Sequence, residues 1–167
     1  PGRRWFKRRA QAARPAQHEL PNAGSAQAMF VTRDNGEHRN DIERHYRAAI
    51  RSARHRVVIA NAYFFPGYLL LRQLRRAARR GVKVHVMARP PHSLKKEKLV
   101  EAVGGMRILD DVGVKIHKLR GLKLHGKMLL ADGVAAIVGS INLAPGSFDS
   151  RRELAIEVRD DEVVDRL

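Results

Sequence analysis

The sequence contains no cysteine, few aromatic residues and no long hydrophobic run. The lack of cysteine excludes disulfides and thiolate metal sites, and it weakly favours a reducing compartment. Aromatic residues make up only 5% of the chain, which argues mildly against a surface built to stack on nucleic acid bases. No apolar stretch approaches the roughly 20 residues that a membrane-spanning helix needs, and no signal peptide is recognisable.

Acidic residues are scarce as well. The 17 Asp and Glu residues are outnumbered by 33 Lys and Arg residues, which gives a formal net charge of +16. A charge of this size favours an anionic partner, which can be a nucleic acid, an anionic membrane surface or a phosphorylated substrate. The 167 residues are enough for one domain, and 44% of them are hydrophobic, so a real core can form.

The composition divides the chain in two. Residues 1–28 are rich in Ala, Gln, Pro and Gly and begin with five basic residues around Trp5 and Phe6. We predict that this stretch is a basic, flexible arm or linker. From Phe30 onward the pattern is that of a folded protein, so residues 29–167 are predicted to form a single domain.

Predicted strands and helices alternate along most of this domain. Hydrophobic spacing and end signals predict helices over residues 40–55 and 66–81, and a helix over 93–113 broken at Gly104 and Gly105. Strands are predicted over residues 56–61, 82–88 and 114–119, followed by 122–132, 133–140 and 152–158 with little helix between them. A further helix begins near residue 160. The pattern indicates an α/β fold with a mixed, mostly parallel central sheet flanked by helices.

Polar residues gather near the ends of the last three strands. Successive strand residues point to opposite sides, so His125 and Lys127 are expected to share one side of their strand. The other side, with Leu124 and Met128, is predicted to be the buried one. Asp132 follows at the end of this strand. The remaining polar candidates are Ser140 and Asn142 after the next strand and Glu153 at the start of the third.

These residue types suit a phosphate site. An ammonium offsets phosphate charge, and an imidazole held neutral can attack phosphorus. A carboxylate bonded to the other ring nitrogen would fix the tautomer, while Asn and Ser supply neutral donors to the phosphate oxygens.

The stretch HGKMLLAD, followed by GSIN, resembles the HKD signature of the phospholipase D superfamily. Together with its flanks it is similar to the second half of bacterial cardiolipin synthases, over roughly residues 29 to 160. The resemblance implies a phospholipase D-like α/β domain. It also implies a phosphodiesterase or phosphatidyltransferase that acts through a phosphohistidine, most closely in cardiolipin synthesis.

The resemblance also implies roles for the matching residues. His125 would be either the nucleophile or the acid that protonates the leaving alcohol. Lys127 and Asn142 would bind phosphate oxygens with help from Ser140, and Glu153 would hold the His125 ring. Asp132 would support the site rather than react.

The resemblance also implies a role for two aromatic residues and bears on the need for a cofactor. Tyr63 and Phe64 would border the substrate channel, although core packing explains them equally well. Neither a metal nor any other cofactor is expected.

The chain departs from the synthase pattern in two ways. Synthases carry two HKD motifs, and the active site forms between them, whereas this chain has one. The second motif would come either from a second copy in a homodimer or from a missing N-terminal half. Ala144 and Arg152 also stand where many synthases have Asp and Asn, which bears on the acceptor alcohol rather than on the phosphodiester chemistry.

The expected partner is therefore an anionic phospholipid, with peripheral contact at the cytoplasmic face of the cell membrane or a cytoplasmic location. One alternative is a homodimeric HKD nuclease or phosphodiesterase that acts on nucleic acid. Another is an inactive half-domain that binds anionic lipid.

Overall fold

The computed structural model describes residues 25–89, 96–119, 121–144 and 151–167, so most of the predicted arm lies outside it. Seven strands form one sheet in these residues: β1 (Gln27–Arg33), β2 (Arg56–Asn61), β3 (Lys83–Ala88), β4 (Lys115–Lys118), β5 (Lys127–Ala131), β6 (Ala135–Gly139) and β7 (Glu153–Arg159). Four helices accompany them: α1 (Asp41–Ser52), α2 (Tyr68–Arg79), α3 (Lys96–Asp110) and α4 (Asp161–Asp165).

The sheet has the strand order β1-β7-β6-β5-β2-β3-β4. Only β2–β3 and β3–β4 pair in parallel, while the other four pairings are antiparallel. The α/β class is confirmed, but the prediction of a mostly parallel sheet is wrong. Parallel neighbours need a crossover such as α2 or α3, whereas β5 and β6 are joined by a tight turn that only an antiparallel pair allows.

The core lies between one face of the sheet and the first two helices. Helical spacing places Ile42, Tyr46 and Ile50 on the buried side of α1, and α2 buries Leu70, Leu74 and Ala77 in the same way. They belong to one hydrophobic cluster with alternate strand residues, among them Val57, Ile59, Val84, Val86 and Leu129. Each fully buried aliphatic side chain contributes about 1.5–3 kcal/mol.

Three local features differ from the sequence predictions. Strand β1 was not predicted, because it is an edge strand that buries only Val31 and Arg33. Helix α3 continues through Gly104 and Gly105, so the predicted break is wrong. Strand β5 begins at Lys127 rather than at residue 122, which leaves His125 in the segment before the strand. The predicted stop of α2 is confirmed, since Gly81 has a φ of +88°.

Candidate active site

The polar candidates converge where several strand ends meet. Because β5 runs antiparallel to both β2 and β6, the start of β5 lies beside the ends of those two strands. Strand β7 is antiparallel to β6, so its first residue, Glu153, lies at this same end. The sheet therefore brings Asn61, Lys127, Gly139 and Glu153 to one end, which we call the site end.

Lys127 and His125 are in contact. The Lys127 Nζ atom lies 3.4 Å from His125 Nδ1 and donates to the His125 backbone oxygen at 2.5 Å. The lysine side of β5 is the buried one, since Lys127, Leu129 and Ala131 are buried while Met128 on the opposite side is only half-buried. The prediction that the Met128 side is buried is therefore wrong. His125 itself is exposed.

The burial of Lys127 is unusual for a lysine. Only 7% of this residue is exposed, and it has no carboxylate within the 4.0 Å of an ion pair among the described residues. Burial lowers the pKa of the ammonium, and the negative charge of Glu153 acts in the opposite direction. A buried cation that lacks a bonded anion is costly, and an anionic ligand at this position would offset that cost.

Ser140 fastens β6 to β7. Its hydroxyl donates to Glu153 Oε2, and it accepts from the backbone N–H of Leu154 at 3.1 Å. Glu153 thus hydrogen-bonds Ser140 rather than His125, the ring that the resemblance assigns to it. Its charge nevertheless acts on Lys127, so Glu153 belongs to the electrostatics of the site.

Gly139 makes this junction tight. A Cβ atom at this position would lie 2.6 Å from the Leu154 backbone oxygen and 2.8 Å from Ala155 Cβ. Neither distance is available to a real side chain, so only glycine lets β6 approach β7 this closely. The close approach fixes where the chain leaves β6, and therefore where Ser140 and Asn142 lie.

The side-chain oxygen of Asn142 is buried without a hydrogen-bond partner among the described residues. Its Oδ1 atom is buried and lacks a hydrogen bond within the described ranges, while Ile141 and Leu143 on either side are fully buried. The two ends of an amide are nearly indistinguishable, so a rotation of the group would present its NH₂ in place of the oxygen. Buried polar groups are normally satisfied, and an unsatisfied one at the same end of the sheet as the buried Lys127 suits a ligand oxygen.

Asn61 is the site-end residue that the sequence analysis missed. It is fully buried and pairs with Lys127 in the register between β2 and β5. Its Nδ2 donates to the Ile141 oxygen, and its Oδ1 accepts from the backbone N–H groups of Tyr63 and Leu143, each at 3.3 Å. Asn61 therefore clamps the segment that carries Asn142. The available signal was a polar residue at the end of an otherwise apolar strand.

The two predicted channel aromatics have different surroundings. Phe64 is 1% exposed, belongs to the core and forms a bridge with Leu143. Tyr63 is partly exposed, and the Arg89 guanidinium carbon lies 5.9 Å from the centre of its ring. The structure thus brings Tyr63 to the surface of the site end and places Phe64 beneath it.

Asp132 is not brought to His125. It follows the last residue of β5, and its carboxylate accepts from the backbone N–H groups of Arg54, His55 and Arg56 at 2.8, 2.9 and 2.8 Å. Burial raises the pKa of this carboxyl, but the three backbone donors outweigh burial, so the pKa of Asp132 lies below its usual range. Asp132 joins the start of β2 to the end of β5.

The described residues lack both a cluster of metal ligands and a membrane-spanning helix. They contain no cluster of three or more His, Cys, Asp or Glu side chains able to hold a metal ion. None of their helices is long and apolar enough to cross a bilayer.

Solved structures share this fold. The Nuc protein of Salmonella typhimurium, a phospholipase D family member, superposes with a TM-score of 0.71 and covers 85% of this chain and 89% of that one. At 17% sequence identity, this likeness shows the fold alone. The fold is that of the phospholipase D family, as the HKD resemblance predicted.

Sequence comparison identifies the family within this fold to which the chain belongs. The family described as "Cardiolipin synthase, PLD-like domain" matches residues 46–167, and the chain therefore belongs to it. The chain is similar to cardiolipin synthase B of Salmonella typhi, with 44% identity over 164 residues that cover 96% of this chain. Cardiolipin synthase B of Escherichia coli K12 is 41% identical over 162 residues that cover 95% of this chain. The chain spans 37% of the length of either relative.

Proposed function

We propose that this domain supplies one of the two His-Lys sets of a phosphatidyltransferase that makes cardiolipin-type lipid. The proposal depends on the position of Lys127. Its buried ammonium lies beside the His125 imidazole and has no bonded carboxylate among the described residues. Family membership and the similarity to two cardiolipin synthases support the choice of reaction.

The chemistry is a double displacement at phosphorus. In the first step a histidine nitrogen bonds to phosphorus, the bond to the leaving alcohol breaks, and a second histidine protonates that alcohol. In the second step an acceptor hydroxyl attacks phosphorus, the P–N bond breaks, and the hydroxyl proton passes to the second histidine. His125 takes one of these two roles. Lys127 and Asn142 hold the phosphate oxygens and stabilise the charge that develops on them.

The second His-Lys set comes from outside this stretch of sequence. Two sources fit, which are a second copy of the domain related by a two-fold axis and the remainder of a longer chain. The 37% coverage of both relatives supports the longer chain. In either arrangement Glu153 and Ser140 stabilise the lysine side of the site. Asp132 stabilises the folded domain by joining β5 to the start of β2.

The proposed substrate is an anionic phospholipid such as phosphatidylglycerol. The net charge of +16 draws the domain to anionic lipid, because each basic residue near such a surface adds about 1 kcal/mol. We place the protein in peripheral contact with the cytoplasmic face of the cell membrane.

The test supplies vesicles of phosphatidylglycerol and, in parallel, single-stranded DNA. We expect a cardiolipin-type product from the vesicles in any assembly that joins two His-Lys sets, and none after His125→Asn. Cleavage of DNA without lipid turnover would overturn the proposal in favour of a nuclease. Where two copies form the active dimer, an equal mixture of wild type and His125→Asn should keep about one quarter of the activity of the same total amount of wild type, because only dimers with two His125 residues act. A fall to about one half would mean that each copy carries a complete site.

A further inference from the structure

Four large apolar side chains are exposed around the site end. They are Tyr68, which is 73% exposed, Leu122 at 59%, Leu69 at 42% and Tyr63 at 36%. We call these four residues the apolar rim. Exposed leucines are common singly, but a group of large apolar residues beside one site indicates an interaction surface.

The topology brings the segments that carry the apolar rim to the same end of the sheet as His125. Tyr63 follows β2, whose last residue pairs with Lys127, and Tyr68 and Leu69 form the first turn of the helix after it. Leu122 lies three residues before His125 in the segment that runs from β4 to β5. The start of that segment is held against the end of β3, because the Leu119 N–H donates to the Ala88 oxygen at 3.0 Å.

Basic residues predominate in the two segments that carry the apolar rim. Residues 61–72 and 118–127, which contain all four rim residues, include no Asp or Glu. Exposed cations stand among them, namely Arg72, Arg89, Lys118 and Lys123, and Arg89 lies over the ring of Tyr63. Helix α2 adds to this field, because its first turn has no acidic residue and Gly67 provides no side-chain cap.

We infer that the apolar rim docks the site end onto an anionic lipid bilayer. Leucine inserts below the headgroups and tyrosine lies at their level, while the surrounding Arg and Lys residues bind lipid phosphates. A protein partner would not require this excess of basic residues, and single-stranded DNA could stack on Tyr63 and Tyr68 but would leave Leu69 and Leu122 without a role. This inference rests on the proposed function, because docking through the apolar rim presents a lipid phosphodiester to His125 at the depth of the headgroups.

The test is co-sedimentation with vesicles of phosphatidylglycerol and phosphatidylcholine in equal amounts, compared with vesicles of phosphatidylcholine alone. We expect the double variant Leu69→Ser/Leu122→Ser to bind the mixed vesicles at least about tenfold more weakly, because two apolar insertions are lost. The matched control is Phe30→Ser, which removes a side chain that is 71% exposed on edge strand β1. It should bind like wild type. Equal weakening by Phe30→Ser, or unchanged binding of the double variant, would overturn the inference.

The two proposals fail in different ways. Vesicle binding needs no turnover, so His125→Asn should bind the mixed vesicles as wild type does. If rim-dependent binding is found but His125 makes no difference to lipid turnover, the proposed function fails and the docking surface stands. If turnover depends on His125 but the double variant binds vesicles normally, docking through the apolar rim fails alone. Binding of single-stranded DNA that is lost in the double variant would assign the rim to nucleic acid and also overturn it.

Discussion

Asp132 and His125 belong to one sequence motif but lie at opposite ends of β5. His125 precedes the strand and contacts Lys127, whereas Asp132 follows it and receives three backbone hydrogen bonds from the start of β2. One end of the motif thus lies at the proposed active site, and the other end holds β5 to the start of β2. Asp132 also has a φ of +54°, a backbone conformation that Asp tolerates better than most residues.

Asp132→Asn should lower stability rather than activity. At neutral pH we expect the free energy of unfolding to fall by about 1–3 kcal/mol, because charged hydrogen bonds to backbone donors are lost. The pKa of Asp132 is lowered in the folded state, so its contribution is present above the unfolded pKa of about 3.9 and is lost as pH falls through the folded value. Denaturant unfolding of variant and wild type should therefore converge as pH falls through the folded pKa of Asp132.

The activity of the folded Asp132→Asn protein is the control. Turnover per folded molecule should match that of wild type. Lost turnover with unchanged stability would instead place Asp132 in the chemistry.

Gly139→Ala should displace the chain that carries Ser140 and Asn142. The added Cβ would meet the Leu154 oxygen at 2.6 Å, so β6 must move away from β7 at a cost of about 1–3 kcal/mol. Turnover should fall more than stability explains. Gly104→Ala is the matched control, since nothing lies within 4 Å of its Cβ and alanine favours the helix by up to about 1 kcal/mol. Equal behaviour of the two variants would contradict the close-approach argument.

Asn61→Ala should release the segment that carries Asn142. The loss of Asn61 leaves the backbone N–H groups of Tyr63 and Leu143 without their acceptor, which costs about 1–3 kcal/mol for the buried Leu143 group and less for the partly exposed Tyr63 group. The segment that carries Asn142 then loses its clamp, so kcat should fall in the fraction that remains folded. Thermal unfolding and single-turnover rates measure the two effects, and normal values of both would show that Asn61 clamps nothing.

Lys127 should set the alkaline limit of activity. Because burial lowers its pKa, the ammonium is lost at a lower pH than the value of about 10.4 for an exposed lysine. A profile of kcat/KM against pH should therefore fall on the alkaline side below that value. Lys127→Arg keeps its charge and should flatten this limb even if its overall rate is lower. An unchanged limb in the arginine variant would assign the titration to another group.

Local patterns predicted the elements whose signals are contiguous. The helical spacing of α1 and α2, the stop at Gly81 and the alternation in β3 are properties of neighbouring residues, and so is the HKD motif. Edge strand β1 has a weak pattern of its own and is defined by pairing with β7, more than 100 residues away. No local signal encodes such a contact.

The start of β5 and its buried side were predicted wrongly, because both depend on contacts with other parts of the chain. Alternation shows that Lys127 and Met128 point to opposite sides, but only the position of the helices decides which side is buried. The HKD motif is continuous in sequence, but β5 separates His125 from Asp132 in space. The role of Asn61 depends on the path of residues 141–143, which belongs to another part of the chain.

The central claim is that this chain holds half of a phosphodiester-transfer site. Its most direct test is turnover of phosphatidylglycerol at concentrations where light scattering shows only monomer. We expect a rate no greater than that of His125→Asn, because the monomer has only one of the two histidines. A monomer that turns over lipid faster than His125→Asn would contradict it.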